Sequence, residues 1–539
     1  MAYVSHPRIK PDSVEERRYQ TSVVEGCVAR NSLVILPTGL GKTIVALRAV
    51  AEFVDKGKVL ILAPTKPLVD QHRSTFEELM PSARIGMLNG MMKPEKRAVI
   101  VSESDIVIST PQCVANDLES RLYDLHDFSL CIFDEAHRAT GNYAYVAVAP
   151  YCPVRCRMIG MTASPGSDLK RIEEVCGNLD LRRIDVRSDD DPDVAPYVYD
   201  TYVNRIEVNL PKDLQDAVGL LEEMLDRYVA ELNSLGLMPR GQMVSKGSIN
   251  RLQENLQIRL ARGEKTAIVF RGMTLAAICM KLLHAIEYAE CQGMTTLRQY
   301  LSRLESESFQ EKGGKGAREI MARPEYPKLK FILDNTRVEH PKVSRVMSIV
   351  SQVLESRPGT KVLVFAQFRD TCDMLVDKIS GIPHARAGLL IGHSNGGMNQ
   401  KDQIGLLDRF RSGELNVLVS TSVGEEGLDV ASTDAVIFYE PIPSDIRTIQ
   451  RRGRTGRKND GEVYVLVGKG TLDEVYEKAA KDKERAMRER LQKLSDQLGS
   501  GQSKIVRKAQ TNLDGYRIAR HPFPNHRTWC SAPQLILST

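Results

Sequence analysis

Pro37-Thr38-Gly39-Leu40-Gly41-Lys42-Thr43 follows the apolar run SLVIL and leads into IVALRAVAEFV. Glycines at this spacing let backbone N–H groups close on phosphates, and the N-terminus of a following helix favours an anion. Lys42 can reach β- and γ-phosphates, and the Thr43 hydroxyl can ligate Mg²⁺. A strict loop of this kind has glycine where Leu36 stands, so the match is incomplete. A second group, Asp134-Glu135-Ala136-His137, ends the run LCIF. Carboxylates placed there are costly to bury unless they meet a cation. Asp134 would join the Mg²⁺ shell, and Glu135 would orient and activate an attacking water. A third group, Gln450-Arg451-Arg452-Gly453-Arg454-Thr455-Gly456-Arg457, packs four arginines into eight residues. Arg454 and Arg457 would neutralise charge at a γ-phosphate, an effect on the order of 10³–10⁵ in rate. Each group also has a plain reading, as an ordinary loop, an acidic surface turn or a solvated basic patch. Together they imply ATP with Mg²⁺, held where two domains meet.

These groups need strands that end at one edge. From about residue 30, SLVIL, KVLILAP, DIVIST, LCIFDEAH and RMIGMTAS alternate with helix-length segments, and KVLVFAQF, LNVLVSTS, DAVIFYE and EVYVLVG repeat the pattern later. Apolar runs of four to six residues spaced this way are buried parallel strands in βα units. The expected fold class is α/β, with two doubly wound parallel-sheet domains at residues 1–204 and 338–480. Between them, residues 205–337 form an all-helical insertion. Leu214, Val218, Leu221, Leu225, Val229 and Leu232 lie three or four apart on one stripe, as do Leu297, Leu301 and Leu304. Thr266–Gln292 is apolar and free of proline, which predicts one long buried helix. A mobile loop is expected at Gly313–Gly316. Residues 481–539 are expected to form a basic helix followed by a flexible tail.

Composition narrows the class. Among 539 residues, 42% are hydrophobic and 27% charged, which excludes wholesale disorder. No apolar run is expected to reach the ~18–20 residues that cross a bilayer, and the N-terminus lacks a secretory apolar core. The ten cysteines include no CxxC pair; Cys131 and Cys279 sit in apolar runs as small core residues, and a reducing cytoplasm fits. The net charge of +5 is uneven: residues 241–340 carry 16 basic against 11 acidic groups, and residues 481–539 carry 12 against 5. Basic segments on a near-neutral body point to a polyanionic partner.

The ordered motifs resemble those of superfamily 2 helicases, whose motor halves are RecA-like. Arg17-Arg18-Tyr19-Gln20 is similar to the adenine-reading element, with Gln20 on the base. The resemblance implies that Thr38, Gly39, Gly41, Lys42 and Thr43, with Gly427 and Asp429 of TSVGEEGLD, bind the nucleotide, and that Gln450 joins the catalytic set. It also implies DNA-backbone contacts from Thr65 and Lys66 in APTK, Thr110 and Gln112 in STPQ, Gln367 in FAQF, and Thr421 and Ser422. His137 would couple the nucleotide to the second domain, with Thr162 and Ser164 of TAS linking it to the bound strand. LPTGLGKT, FDEAHRATGNYAYV, GMTASPGS and IQRRGRTGR are very similar to motifs of the Hef and Fanconi anaemia M group. That likeness implies forked and branched DNA as substrate, with the insertion helping to recognise it. The group's ERKxxxD nuclease signature does not occur in this chain, so incision is expected to be absent or supplied by a separate chain. Gln510-Thr511-Asn512-Leu513-Asp514-Gly515-Tyr516 resembles a sliding-clamp peptide, although Arg517 replaces its second aromatic. His72, His284, His340 and His393 are read as surface or satisfied core residues. Three alternatives stay open: a double-stranded-RNA-activated ATPase, a DNA-binding scaffold with a vestigial ATPase, and the translocating subunit of a restriction complex.

Overall fold

The computed structural model describes residues 2–499 except 38, 167, 189–190, 198–200, 311–313, 357–358, 393–396, 422–432 and 442–460. The first sheet contains β1 (Ser32–Ile35), β2 (Lys58–Leu62), β3 (Ile85–Met87), β4 (Ile106–Ser109), β5 (Phe128–Asp134), β6 (Arg157–Thr162) and β7 (Arg183–Val186). Their order is β3-β4-β2-β5-β6-β1-β7, and every pairing is parallel. Side chains alternate across a strand, so such a sheet needs a core on each face. Leu33, Leu60, Leu62, Cys131 and Phe133 enter one core, while Val34, Val59, Ile61, Leu130 and Ile132 enter the other. The continuous apolar runs in the sequence are therefore two interleaved faces.

The second sheet holds β8 (Thr201–Val208), β9 (Val362–Phe365), β10 (Ala387–Leu390), β11 (Val417–Ser420), β12 (Ala435–Phe438) and β13 (Gly461–Gly468). Their order is β10-β11-β9-β12-β13-β8, with β10 to β13 paired in parallel. Both sheets, apart from the last residues of β8 and β13, belong to one of two compact units, which also includes residues 475–499. There the helix Leu472–Gly499 differs from the basic helix expected from residue 481. It begins before residue 480, and Met487, Leu491 and Leu494 are buried in a core of the first sheet. Three apolar residues at helical spacing outweigh the surrounding charge.

The other unit contains Glu207–Arg345 and Val467–Glu474. Its helices bury Leu214, Leu221, Leu225, Leu297, Leu301 and Leu304 in one core, as their spacing predicts. The long apolar segment differs in detail: an α-helix, Ala267–Glu287, is capped by Thr266 and passes into a π-helical turn, Tyr288–Gln292. Contrary to the expectation that no run was long enough, Ala267–Gln292 could span a bilayer by length and composition. Its Val269, Leu275, Ile278, Cys279 and Leu282 instead form the bundle core, and Arg271 pairs with Glu231 and Glu319. The expected loop at Gly313–Gly316 is also corrected. Residue 313 is outside the described residues, Gly314 caps a helix, and Lys315–Met321 is helical. Gly316 lies against Ile278, where a Cβ would stand 3.2 Å from its side chain.

The π-helical turn carries a buried polar knot. Lys342 and Asp473 are fully buried and 2.5 Å apart, and Asp473 also accepts from the Gly468 N–H. The Glu290 carboxylate accepts from the Leu472 N–H, and its carbonyl lies 2.9 Å from His340 Nε2. Burial pushes the Glu290 carboxyl up from 4.5 to about 7, partly offset by the Leu472 N–H. A folded chain that retains this proton is favoured fully below pH 4.5, and the advantage is lost as pH rises to about 7. Glu290→Gln keeps the acceptor oxygen but cannot ionise. It should stabilise the protein by on the order of 1–3 kcal/mol more at pH 8 than at pH 5. Denaturant midpoints at the two pH values measure this, and an equal effect at both removes Glu290 as the titrating group.

Candidate active site at the carboxyl edge of the first sheet

Parallel strands of an open α/β sheet present their following loops along one edge, where ligands bind. The Lys42 loop follows β1, Lys66 and Gln112 follow β2 and β4, Glu135 follows β5, and Ser164 follows β6. Gly39 and Gly41 have φ of 95° and 72°, in the left-handed region that glycine enters without steric cost. A Cβ on Gly41 would also stand 2.7 Å from Gln20 Nε2. Gln20 donates to the Leu40 carbonyl at 3.3 Å and Tyr19 donates to it at 2.8 Å, so the RRYQ segment braces the loop. Gln20 Oε1 is buried with no hydrogen-bond partner among the described residues, leaving an acceptor for a ligand. Helix Lys42–Phe53 starts directly after Gly41, and Lys42 Nζ donates to the Leu36 carbonyl at 3.1 Å. Thr43 occupies the second position of that helix.

Asp134 ends a strand buried along its whole length. Burial alone would raise its carboxyl; the His72 hydrogen bond and the nearby positive charges of His72 and Lys42 hold it below the usual carboxylate range. His72 Nε2 lies 2.9 Å from Asp134 Oδ2, and the Glu135 N–H donates to Oδ1 at 3.0 Å. The Tyr145 hydroxyl bonds to the backbone carbonyls of Asp134 and Leu62, tying the ends of β5 and β2 together. Glu135 has φ 49° and ψ 50°, a left-handed conformation costing roughly 1–2 kcal/mol outside glycine. Its Oε2 is buried without a hydrogen-bond partner among the described residues. His137 Nδ1 lies 3.4 Å from this oxygen, out of hydrogen-bond alignment, and 3.0 Å from Thr162 Oγ1. The Thr162 hydroxyl donates to the Ser164 carbonyl at 3.0 Å, and the Ser164 N–H returns a bond at 3.2 Å. The edge thus holds a paired carboxylate beside Lys42 and, next to it, a carboxylate with an open oxygen, which can accept a proton from water.

Thr65 and Thr110 precede neighbouring helices at the ends of β2 and β4, while Lys66 and Gln112 are exposed. On the second sheet, Gln367 and Thr421 follow the adjacent strands β9 and β11; Gln367 is exposed, and its backbone N–H donates to Glu440. Thr38, Ser422, Gly427, Asp429, Gln450, Arg454 and Arg457 lie outside the described residues, as do His393 and the Gln510–Tyr516 peptide.

Sequence reasoning missed two supports. His72, expected on the surface or as a satisfied core residue, is buried and holds Asp134. Val69, His72 and Phe76 are the buried residues of helix Lys66–Leu79, and their 3,4 spacing was a signal that His72 faces inward. Tyr145 lies eleven positions beyond Asp134, at a separation with no helical or strand periodicity to flag it.

Family profiles match three successive stretches. The res subunit of type III restriction enzymes matches residues 13–167, an RNA-helicase helical bundle matches 213–340, and the helicase conserved C-terminal domain matches 342–459. The crystal structure of the Pyrococcus furiosus Hef helicase domain is 38% identical, with a TM-score of 0.66 over 85% of this chain and 97% of that one. A Methanocaldococcus jannaschii protein, provisionally named an ATP-dependent RNA helicase, is 37% identical over 91% of this chain and 63% of its own length. The Gallus gallus Fanconi anemia group M protein is 30% identical over 87% of this chain. The chain spans 63% of the first relative and 26% of the second. Two parallel-sheet domains with a helical bundle between them in sequence, and these sequence matches along them, show that the chain belongs to the superfamily 2 helicases, alongside the Hef helicase domain and the Fanconi anaemia M helicases.

Proposed function

We propose that this chain is an ATP-dependent DNA translocase and helicase acting on forked or branched DNA. The observation that carries the reading is the open, buried Glu135 oxygen, next to an Asp134 carboxylate that feels Lys42. Lys42 would bind the β- and γ-phosphates, and Gln20 would offer its free acceptor to the adenine amino group. The glycine-lined loop and the deprotonated Asp134 fit a hard cation; Thr43 and Asp134 would hold Mg²⁺, which neutralises phosphate charge when bound. Glu135 would take a proton from the attacking water, and His137 would set its orientation through Thr162. Arg454 and Arg457, from the second α/β domain, would complete the site on closure. Thr65, Lys66, Thr110, Gln112, Gln367, Thr421 and Ser422 would grip the DNA backbone, which confers little sequence preference. Support comes from the DNA-helicase names among the relatives, such as the Schizosaccharomyces pombe fml2 protein.

A second reading has its own support. The M. jannaschii relative and the profile over residues 213–340 both carry RNA-helicase names. An ATPase and unwinding panel over forks, four-way junctions, linear DNA and duplex RNA separates the two. Forked DNA should stimulate turnover and be unwound preferentially; stronger stimulation by duplex RNA transfers the activity to RNA.

Glu135→Gln should retain nucleotide binding but lose about 10²-fold or more in turnover. Near-normal steady-state turnover would remove Glu135 as the base. Lys42→Ala should abolish fork remodelling, and a variant that remodels forks like the parent leaves a scaffold with no motor. His72→Leu should raise the Mg²⁺ concentration needed for half-maximal turnover by roughly tenfold, because an unheld Asp134 binds the cation poorly. A Mg²⁺ titration that superimposes on the parent's rejects that role.

A further inference from the structure

The TAS motif connects to a residue 323 positions away. The Ser164 hydroxyl donates to the Met487 thioether sulfur at 3.0 Å, and the Gly166 N–H meets the same hydroxyl at 3.4 Å. Ser164 is 1% exposed and Met487 5%. A thioether is a weak acceptor, but at a buried position it satisfies a hydroxyl that would otherwise be stranded. Met487 sits beside Leu491 and Leu494 in the core that also contains Ile172, Val175 and Cys176 from the helix after the TAS motif.

This contact ends a chain of polar groups. Thr162 has one hydroxyl proton, which goes to the Ser164 carbonyl, so its oxygen accepts from the Ser164 N–H and from a protonated His137 Nδ1. His137 Nδ1 in turn stands 3.4 Å from the Glu135 carboxylate. Contacts therefore run from Glu135, beside His137 without a hydrogen bond, through the His137–Thr162 bond and the Ser164 backbone to the Ser164 hydroxyl and Met487. In sequence, the helix carrying Met487 follows directly on β13 of the second sheet.

We propose that Met487 is a positioning residue for hydrolysis: it fixes the Ser164 side chain and so the Ser164 backbone that holds Thr162, and through Thr162 and His137 the stance of Glu135. The inference rests on the ATPase reading above and goes beyond it. It assigns the helix Leu472–Gly499 a part in catalysis. Movement of the second sheet would reach the hydrolytic carboxylate along this helix as well as through the nucleotide.

The test is a double-mutant cycle on the full chain, reading steady-state ATPase with forked DNA. Met487→Leu keeps the apolar volume but removes the acceptor, and Ser164→Ala removes the donor. Each should lower kcat roughly fivefold, within the range for residues that act through others, with KM for ATP within about twofold. The double variant should be no slower than the slower single one. A fall to the product of the two single effects means they act independently and overturns the proposal, as does a Met487→Leu enzyme with the parent's kcat. Leu491→Val loosens the same core without touching Ser164; if it lowers kcat as much as Met487→Leu, packing alone is responsible and the proposal fails. Should Met487→Leu not fold, Ser164→Ala with parental kcat overturns it as well. A parent with no ATPase defeats the function itself, whereas an active parent insensitive to these changes defeats this inference only.

Discussion

Two carboxylates at the end of a fully buried strand constrain everything around them. A charge placed there must be paired or bound to a cation, because desolvation in the interior costs several kcal/mol per ion. Asp134 meets the requirement with His72, the Glu135 N–H and the field of Lys42. Glu135 leaves one oxygen buried and open, in a strained left-handed conformation. One carboxylate is held and the other is left ready, and the arrangement is sensible only if something enters to use the second.

The sheet makes that asymmetry possible. Parallel pairing aligns the ends of β1, β2, β4, β5 and β6, so loops distant in sequence share one edge without long connections. Both faces of the sheet are filled with apolar side chains, which fixes strand positions closely enough for hydrogen bonds near 3 Å to hold between loops. Tyr145 adds a clamp between β5 and β2. The rigidity belongs to the strands, and the chemistry belongs to the loops they end in.

The helical unit solves a different problem with the same rule. Its buried Lys342–Asp473 pair and the high Glu290 carboxyl lie where a π-helical turn interrupts the apolar helix. A π-turn leaves backbone groups outside the regular helical ladder, and His340 and Lys342 bond to the carbonyls of Glu290 and Cys291 there.

Local patterns determined much of this protein. Alternating apolar runs specify buried parallel strands, a glycine-rich loop specifies a tight entry into a helix N-terminus, and leucines three or four apart specify the bundle core. These follow from the chain's own geometry, in which side chains recur every two or 3.6 residues. Tertiary structure decided which distant groups meet. Nothing near His72 in the sequence refers to Asp134, and nothing in a charged helix refers to Ser164, because separations of 62 and 323 residues have no period. The π-turn, the helix at Lys315–Met321 and the burial of Met487 likewise depend on what packs against each segment, a property of the assembled core that no single stretch of sequence contains.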